Sequence, residues 1–201
     1  MKVHRVRGDG NCMFRALAVT FTHTFFGIDD LGDELETLAA AWLRYVAAHA
    51  LWGGVRAVHA AERYQGSSLP HLLFNVARAA KRLRAPPPPL RDPTRLVGTP
   101  TPDAALVHGG VPVREAVAPT THARYCRSML AHGAWGGDNE IAALFVVLSL
   151  PIETYNTRGK RIYRHGRKDA PTPPLRVRWN GGHYDALVDE GTEPLLKFGS
   201  G

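Results

Sequence analysis

Cysteine is scarce in this chain of 201 residues, which contains only Cys12 and Cys126. Two cysteines cannot form the disulfide framework of a small secreted domain, and neither belongs to a Cys-x-x-Cys pair that would indicate structural zinc. A hydrophobic run of about 18 residues, which would cross a membrane, is also missing, and the first residues lack the apolar stretch of a secretory signal. We therefore expect a cytoplasmic protein with reduced thiols, no metal and no membrane partner.

Lysine is also scarce, since only five of the 25 basic residues are lysine, although the net charge is +7. A basic chain can attract nucleic acid or another anionic partner. However, a GC-biased genome produces such arginine-, alanine-, glycine- and proline-rich composition without functional selection, and no aromatic-basic RNA-binding motif is present. We therefore do not expect a nucleic-acid partner. Binding that weakens steeply with salt would be the mark of that alternative.

The length and composition favour a single domain over residues 1–201. Hydrophobic residues make up 44% of the chain and charged residues 21%, as in ordinary globular proteins. A proline-rich segment over residues 85–102 shows little periodicity, and we expect an extended surface loop there rather than a linker between domains. No internal repeat is visible, and we expect a monomer.

Periodicity of the apolar residues predicts helices first and strands last along the chain. Helical spacing is found in five segments: 14–25, 35–46, 69–83, 120–132 and 141–148. Strands are predicted in four later segments: 152–156, 161–164, 175–179 and 183–188. Asn180-Gly181-Gly182 joins the last two as a hairpin turn. Because successive side chains of a strand point to opposite faces, His183 and Asp185 share one face of the final strand.

Cys12 follows the turn Gly8-Asp9-Gly10-Asn11 and stands at the start of the first predicted helix. Backbone amides at a helix start stabilise negative charge, which favours the thiolate form that a nucleophile needs. The amides from Asp9 to Cys12 can also converge on one point, as an oxyanion hole requires. A buried structural cysteine behind an Asp-Gly-Asn turn is the alternative that this segment alone leaves open.

His183 and Asp185 form a His-x-Asp pair near the end of the chain. An imidazole near a cysteine acts first as a base and then as an acid for the leaving amine, and a carboxylate fixes its tautomer. The chain contains 10 histidines, and such a pair taken alone is more often a surface pair. The functional interpretation therefore depends on the combination with Cys12.

Three motifs taken together resemble those of the ovarian tumour (OTU) cysteine proteases. Residues 9–16, Asp-Gly-Asn-Cys-Met-Phe-Arg-Ala, resemble the nucleophile motif of the family. Trp135-Gly136-Gly137 and the apolar helix after it resemble its central segment. Residues 180–187, Asn-Gly-Gly-His-Tyr-Asp-Ala-Leu, resemble its terminal histidine motif. The motifs occur in the family's order and span nearly the whole chain.

The resemblance implies a papain-like α+β fold with a central, mostly antiparallel twisted β-sheet between two helical layers. It also implies a thiol-dependent deubiquitinase that cleaves after the C-terminal glycine of ubiquitin or a ubiquitin-like modifier through a thioester acyl-enzyme. Ubiquitin, polyubiquitin chains and their conjugates would be the partners, and no cofactor is needed. A catalytically silent OTU-fold module that binds ubiquitin is the alternative function, although every matched catalytic position holds a competent residue.

On the matching positions, Cys12 is the nucleophile and His183 the general base. Asp185 matches the residue that orients the histidine in many members, and Asp9 matches an aspartate that shapes the loop before the cysteine. We expect Asp185 to be the partner of His183, because Asp9 belongs to the turn that supplies the oxyanion-hole amides. The residues expected to line the substrate cleft are Trp135, Gly136, Gly137, Asn180 and Tyr184. For Trp135, packing in the core is an equal alternative.

Each of two charged segments has a functional interpretation and a simpler structural one. The acidic cluster over residues 29–36 can bind the arginines of a ubiquitin tail, but the start of a helix explains it better. The basic run over residues 158–168 can bind an acidic partner, but a solvated hairpin is the simpler interpretation.

The scarcity of lysine also fits a viral or bacterial effector that works in a host cytosol without being ubiquitylated itself. Codon bias explains the scarcity equally well.

Overall fold

The computed structural model describes residues 1–100, 119–191 and 193–198, which form five helices and five strands. The helices are α1 (Cys12–Phe26), α2 (Asp33–Gln65), α3 (Leu69–Ala80), α4 (Pro119–Met129) and α5 (Asp138–Leu148). The strands are β1 (Lys2–His4), β2 (Ile152–Tyr155), β3 (Arg161–His165), β4 (Leu175–Trp179) and β5 (Tyr184–Val188). Each helix and strand predicted from the sequence corresponds to one of these elements, and β1 is an additional strand.

The second helix departs most from its predicted bounds. The pattern predicted an end before Gly53 and Gly54, whereas α2 continues to Gln65 with non-helical backbone angles at these two glycines. A Cβ at Gly53 would lie 2.3 Å from the carbonyl oxygen of Thr99. Glycine at this position therefore allows the following loop to approach the helix. Buried apolar residues continue the helix face beyond the kink: Ala57, Val58 and Ala61.

The proline-rich segment forms neither a helix nor a strand over its described residues, 85–100. It is held against α2 by side chains of that helix. Gln65 exchanges two hydrogen bonds with the backbone of Arg91, at 2.7 and 2.8 Å, and the amide of Val97 donates to Nε2 of His49 at 3.1 Å. Residues 101 and 102, the end of the predicted loop, lie outside the described residues. A single domain over 1–201 stays a prediction.

The five strands form one sheet in the order β1-β5-β4-β2-β3. Neighbouring strands are antiparallel, except for the parallel pair β2 and β4. The register places four buried apolar residues on one face: Ile152, Leu175, Val177 and Ala186. Helix α1 contacts β4 and β5 and shares the hydrophobic core with this face. The α+β class with a mostly antiparallel sheet is therefore confirmed.

The helices pack against the apolar face of the sheet and against each other. Helix α5 contacts β3, where Phe145 and His165 have ring centroids 6.3 Å apart. His165 pairs with Ile152, so it belongs to the same sheet face that α1 covers. Helix α2 contacts both α1 and α5, and α3 and α4 contact α2. Within the described part of the chain, α1 and α5 therefore contact the apolar face of the sheet, and α2 packs on these two helices.

Charged residues on the opposite face give the reason for this arrangement. Glu153, which is buried, accepts hydrogen bonds from three arginines of that face: Arg161, Arg164 and Arg176. A face with ion pairs at alternate positions offers no continuous apolar surface for a helix to cover. Part of the basic run therefore neutralises an internal carboxylate. Among the described helices, none is both long and apolar enough to cross a membrane.

Candidate active site

The turn before α1 sets the position of Cys12, the first residue of that helix. Gly10 has a left-handed backbone with φ 79°, and a Cβ there would lie 2.0 Å from the carbonyl oxygen of Gly133. Only glycine fits this approach. The amide of Asn11 donates to Oδ1 of Asp9 at 3.0 Å and closes the turn. The turn is therefore fixed both internally and against the loop before α5.

Asp9 forms an ion pair with Arg15 of α1. Nη2 of Arg15 donates to Oδ2 of Asp9 at 2.7 Å and Nε donates to Oδ1 at 3.3 Å. The Arg15 side chain is 1% exposed and also binds Glu36 of α2 at 3.2 Å. Burial raises the pKa of Asp9, but hydrogen bonds from Arg15 and the Asn11 amide outweigh burial and lower the pKa to about 2. Asp9 is therefore ionised at neutral pH and ties the turn to α1, and through Arg15 to α2.

Arg44 of α2 connects this turn with the loop before α5. Its buried guanidinium donates to Oδ1 of Asn11 from two nitrogens, at 2.7 and 3.1 Å. Three carbonyl oxygens also accept from it, those of Gly10 at 3.2 Å, Met129 at 3.0 Å and Ala134 at 2.6 Å. Burial lowers the pKa of Arg44 to about 10, so it stays charged at neutral pH. Arg44 could not be identified from the sequence, because helical periodicity does not separate a buried arginine from exposed ones.

His183 reaches Cys12 from the hairpin between β4 and β5. The amide of Asn180 donates to the carbonyl oxygen of His183 at 3.1 Å. The amide of Tyr184, the next residue, donates to Sγ of Cys12 at 3.5 Å. A Cβ at Gly8 would lie 3.5 Å from Nδ1 of His183, so this ring nitrogen faces the turn over residues 8–11 that precedes Cys12. The predicted nucleophile and the predicted base therefore lie in one site.

Asp185 is 4% exposed, and its two carboxylate oxygens have different partners. Nε2 of His183 donates to Oδ1 at 3.1 Å, and Nη2 of Arg178 donates to Oδ2 at 2.6 Å. Of the two candidate aspartates, Asp185 is thus the one bonded to His183, whereas Asp9 is bonded to Arg15. Arg178 was not among the residues predicted for the site. The hairpin register was the signal for it, because a turn centred on Gly181-Gly182 puts position 178 opposite position 185.

The backbone amides proposed for the oxyanion hole are not equally available. The amide of Asn11 already donates to Asp9. The amide of Cys12 belongs to the first helical residue, for which the helix itself supplies no acceptor. The amides of Asp9 and Gly10 lie in the turn just before it. Of the four predicted donors, Cys12 therefore has the position most suited to an oxyanion beside its own Sγ.

Trp135 is 71% exposed, so it is not part of the core. Its Cη2 lies 4.0 Å from the position of a Cβ at Gly182, which puts the indole beside the hairpin that carries His183. Gly136 lies against the start of α1, where a Cβ would be 2.7 Å from Cε of Met13. A larger residue at position 136 would collide with the side chains of Met13 and Phe14 in α1.

The other predicted cleft residues shape the backbone around the site. The amide of Gly137 donates to Oε2 of the buried Glu140 at 2.8 Å, at the start of α5. Oδ1 of Asn180 accepts from the amide of Gly182 at 3.2 Å within the hairpin turn. Burial, followed by the nearby charge of Asp138, raises the pKa of Tyr184 to about 12. Tyr184 therefore remains a neutral phenol beside Cys12.

Cys126 differs from Cys12 in its surroundings. It is fully buried in α4, and burial, followed by the nearby Glu140 carboxylate, raises the pKa of its thiol to about 12. Such a thiol stays protonated and unreactive at neutral pH.

The acidic cluster over residues 29–36 includes the start of α2 at Asp33, so the helix-start interpretation agrees with the structure. Its member Glu36 binds Arg15 internally.

Comparisons with known proteins yield structural similarities only. No protein-family model matches the chain, and no curated protein matches it by sequence. Similar solved structures include the OTUD1 OTU domain, 18% identical with a TM-score of 0.45 over 94% of this chain and 85% of that chain. The Hazara virus OTU bound to ubiquitin is 21% identical with a TM-score of 0.43, over 92% of this chain and 79% of that chain. The Farallon virus OTU domain protease is 21% identical with a TM-score of 0.45, over 92% of this chain and 82% of that chain.

Proposed function

We propose that this chain is an OTU-type cysteine protease, an isopeptidase that cleaves after the C-terminal glycine of ubiquitin or a ubiquitin-like modifier. One observation carries the proposal: Sγ of Cys12, at a helix start, lies 3.5 Å from the amide after His183, and His183 is bonded to the buried Asp185. A thiol, an imidazole and a carboxylate in this order are the groups of a cysteine protease. The resemblance of the three sequence motifs supplies the substrate class.

The first step is attack by Cys12 on the carbonyl carbon of the terminal glycine. Nδ1 of His183 takes the thiol proton, because Nε2 is already bonded to Asp185. As the C–S bond forms, the carbonyl oxygen becomes negatively charged and accepts a hydrogen bond from the Cys12 amide. Loss of one such donor costs about 3 kcal/mol of transition-state stabilisation.

The second step releases the amine. The His183 imidazolium gives its proton to the lysine nitrogen as the C–N bond breaks, which leaves a thioester between Cys12 and the glycine. A water molecule, deprotonated by His183, then attacks the thioester carbonyl. The C–S bond breaks, His183 returns its proton to the sulfur, and the released carboxylic acid loses its remaining proton to solvent, so the products are a free amine and a carboxylate.

The two aspartates have different tasks in this mechanism. Asp185 accepts from Nε2–H of His183 and so keeps Nδ1 free for the thiol proton. Asp9 holds the turn over residues 8–11 through Arg15 and the Asn11 amide, and so acts on Cys12 through the backbone. Trp135 and the turn at Gly182 would form one wall of the substrate cleft beside His183.

Ubiquitin carrying a C-terminal electrophile tests the proposal directly. The wild-type protein and Cys126→Ala should each form a covalent adduct one ubiquitin mass heavier, whereas Cys12→Ala should form none. Intact-protein mass spectrometry measures the adduct. Tight ubiquitin binding without an adduct in the wild-type protein would instead support a silent binding module. Adduct formation by Cys12→Ala would exclude Cys12 as the nucleophile.

A further inference from the structure

Strand β4 carries two arginines on the charged face of the sheet, two residues apart, with different surroundings. Arg176 binds Glu153 of β2 and Asp189, which follows β5. Arg178 binds Asp185 through Nη2 at 2.6 Å. Both side chains are about one quarter exposed, at 23% and 24%. The two arginines therefore allow a matched comparison. Arg178 is bonded to Asp185, the partner of His183, whereas Arg176 is bonded to Glu153 and Asp189.

We propose that Arg178 is a positioning residue, which holds Asp185 in the orientation that fixes the ring of His183. For its catalytic consequence this inference rests on the proposed function. Torsion about the bond to a carboxylate group is broad and has no sharp rotamer minimum. One hydrogen bond to an imidazole therefore leaves the carboxylate free to swing. A second hydrogen bond, from Arg178 to the other oxygen, removes that freedom.

Burial gives Asp185 a second need for Arg178. Its side chain is 5% exposed, and a carboxylate withdrawn from water requires a compensating charge or several hydrogen bonds. The charge-assisted contact at 2.6 Å supplies this on Oδ2 and leaves Oδ1 to His183. The neutral imidazole alone cannot supply a full compensating charge. Arg178 therefore supplies a positive charge beside the carboxylate that accepts from Nε2–H.

Backbone register makes the contact between Arg178 and Asp185 a fixed one. The two residues are directly opposite each other in the antiparallel pair β4–β5, so both side chains leave the same face of the sheet. The hairpin closes two residues further on, where the Asn180 amide donates to the His183 carbonyl oxygen. The guanidinium, the carboxylate and the imidazole thus all extend from one short hairpin.

The Nε nitrogen of Arg178 indicates the role of this side chain. Its Nε is buried and has no hydrogen-bond partner within the described residues. Arg176, by contrast, uses both Nε and Nη1 in ion pairs. A buried donor left unsatisfied is costly and calls for an explanation. The placement of Arg178 therefore serves its Nη2 contact with Asp185 rather than a local network of its own.

The test compares Arg178→Met with Arg176→Met, its neighbour on the same strand and face. In Arg178→Met we expect kcat on a ubiquitin substrate to fall about tenfold to a hundredfold, the range for loss of an outer partner of an oriented histidine, with KM unchanged. Arg176→Met should keep the wild-type kcat. Imidazole 15N NMR of the free protein, with His183 assigned by comparison with His183→Ala, supplies a readout that needs no substrate.

The NMR experiment distinguishes a failure of this inference from a failure of the proposed function. At alkaline pH, where the ring is neutral, we expect the Nε2–H tautomer alone in the wild type and in Arg176→Met, and a mixture of tautomers in Arg178→Met. That result supports the inference even if the wild type cleaves no ubiquitin. An unchanged tautomer in Arg178→Met overturns it. If that variant does not fold, Arg178→Gln, which also lacks the charge, is measured with the same criterion.

Discussion

The backbone of Gly10 packs against the carbonyl oxygen of Gly133, so closely that a Cβ on Gly10 would lie 2.0 Å from that oxygen. Gly10 belongs to the turn before the nucleophile, and Gly133 lies two residues before Trp135. The contact therefore joins the two loops that approach the site from α1 and from α5. The buried Arg44 reinforces it by donating to the carbonyl oxygens of Gly10 and Ala134.

Substitution Gly10→Ala should lower the free energy of unfolding and abolish reaction with the ubiquitin electrophile. A left-handed backbone costs an L-residue about 1–2 kcal/mol, and the added methyl group also displaces Gly133. Gly66→Ala is the matched control, because Gly66 has a similar φ of 74° with open space around it. Urea unfolding measures both variants. Equal losses in the two would contradict the close contact at Gly10.

Replacement of His183 by alanine should reduce turnover to the background rate, because no other group in the proposed mechanism moves the proton. Asp185→Asn should keep part of the activity, since an amide oxygen still accepts from Nε2–H. In Asp185→Asn the reduction in kcat should be at most about 10⁴-fold, the cost of losing control of the imidazole tautomer. His59→Ala, an exposed histidine of α2, should keep the wild-type rate. Wild-type kcat in both His183→Ala and Asp185→Asn would remove His183 from the mechanism.

Truncation of Arg44 should be among the most destabilising single changes. Arg44→Met leaves four oxygens without their donor, namely Oδ1 of Asn11 and three carbonyls. Breaking a buried charged network typically costs about 3–5 kcal/mol. Arg56→Met, at an exposed position of the same helix, should cost less than about 0.5 kcal/mol. Thermal and urea unfolding compare the two, and similar losses would show that the network contributes little.

Acid should remove the stabilisation that Asp9 provides. Its pKa is about 2 in the folded protein against an ordinary 3.8, so the unfolded chain binds the proton more readily. The contribution is therefore full above pH 3.8 and is lost as the pH falls toward 2. The difference in free energy of unfolding between wild type and Asp9→Asn should shrink over that window. Urea titrations across it measure this, with the exposed Glu34→Gln as control. A difference that does not change with pH would contradict the lowered pKa.

Iodoacetamide should separate the two thiols. Cys12 is partly exposed at a helix start, whereas Cys126 is fully buried with a pKa of about 12. At neutral pH the native protein should take up one carbamidomethyl group, at Cys12, and a second only after unfolding in urea. Peptide mass spectrometry locates the modification. Labelling of native Cys126 at a similar rate would show that α4 opens readily.

Local patterns allowed the sequence to predict the elements that carry the candidate site. The Asp-Gly-Asn turn signals a helix start at Cys12, and Asn180-Gly-Gly signals the hairpin before Tyr184, because turn chemistry acts over a few neighbouring residues. The bond between His183 and Asp185 also follows from the two-residue period of a strand.

Contacts between distant parts of the chain are what the sequence did not reveal. The kink at Gly53 depends on Thr99 coming close, and the charged face of the sheet depends on how three arginines and Glu153 meet across strands. Strand β1 has only three residues, too few for a pattern. Arg44 is used for tertiary contacts that no local rule indicates.

Tyr184 stands 172 positions after Cys12, yet its amide contacts the cysteine sulfur. A ribosome therefore has to add the residues of the last hairpin before this thiol and imidazole can meet. If the proposed function holds, chains released before that hairpin carry the nucleophile without its base and cannot cleave a substrate. Cleavage would then depend on the last hairpin joining the sheet.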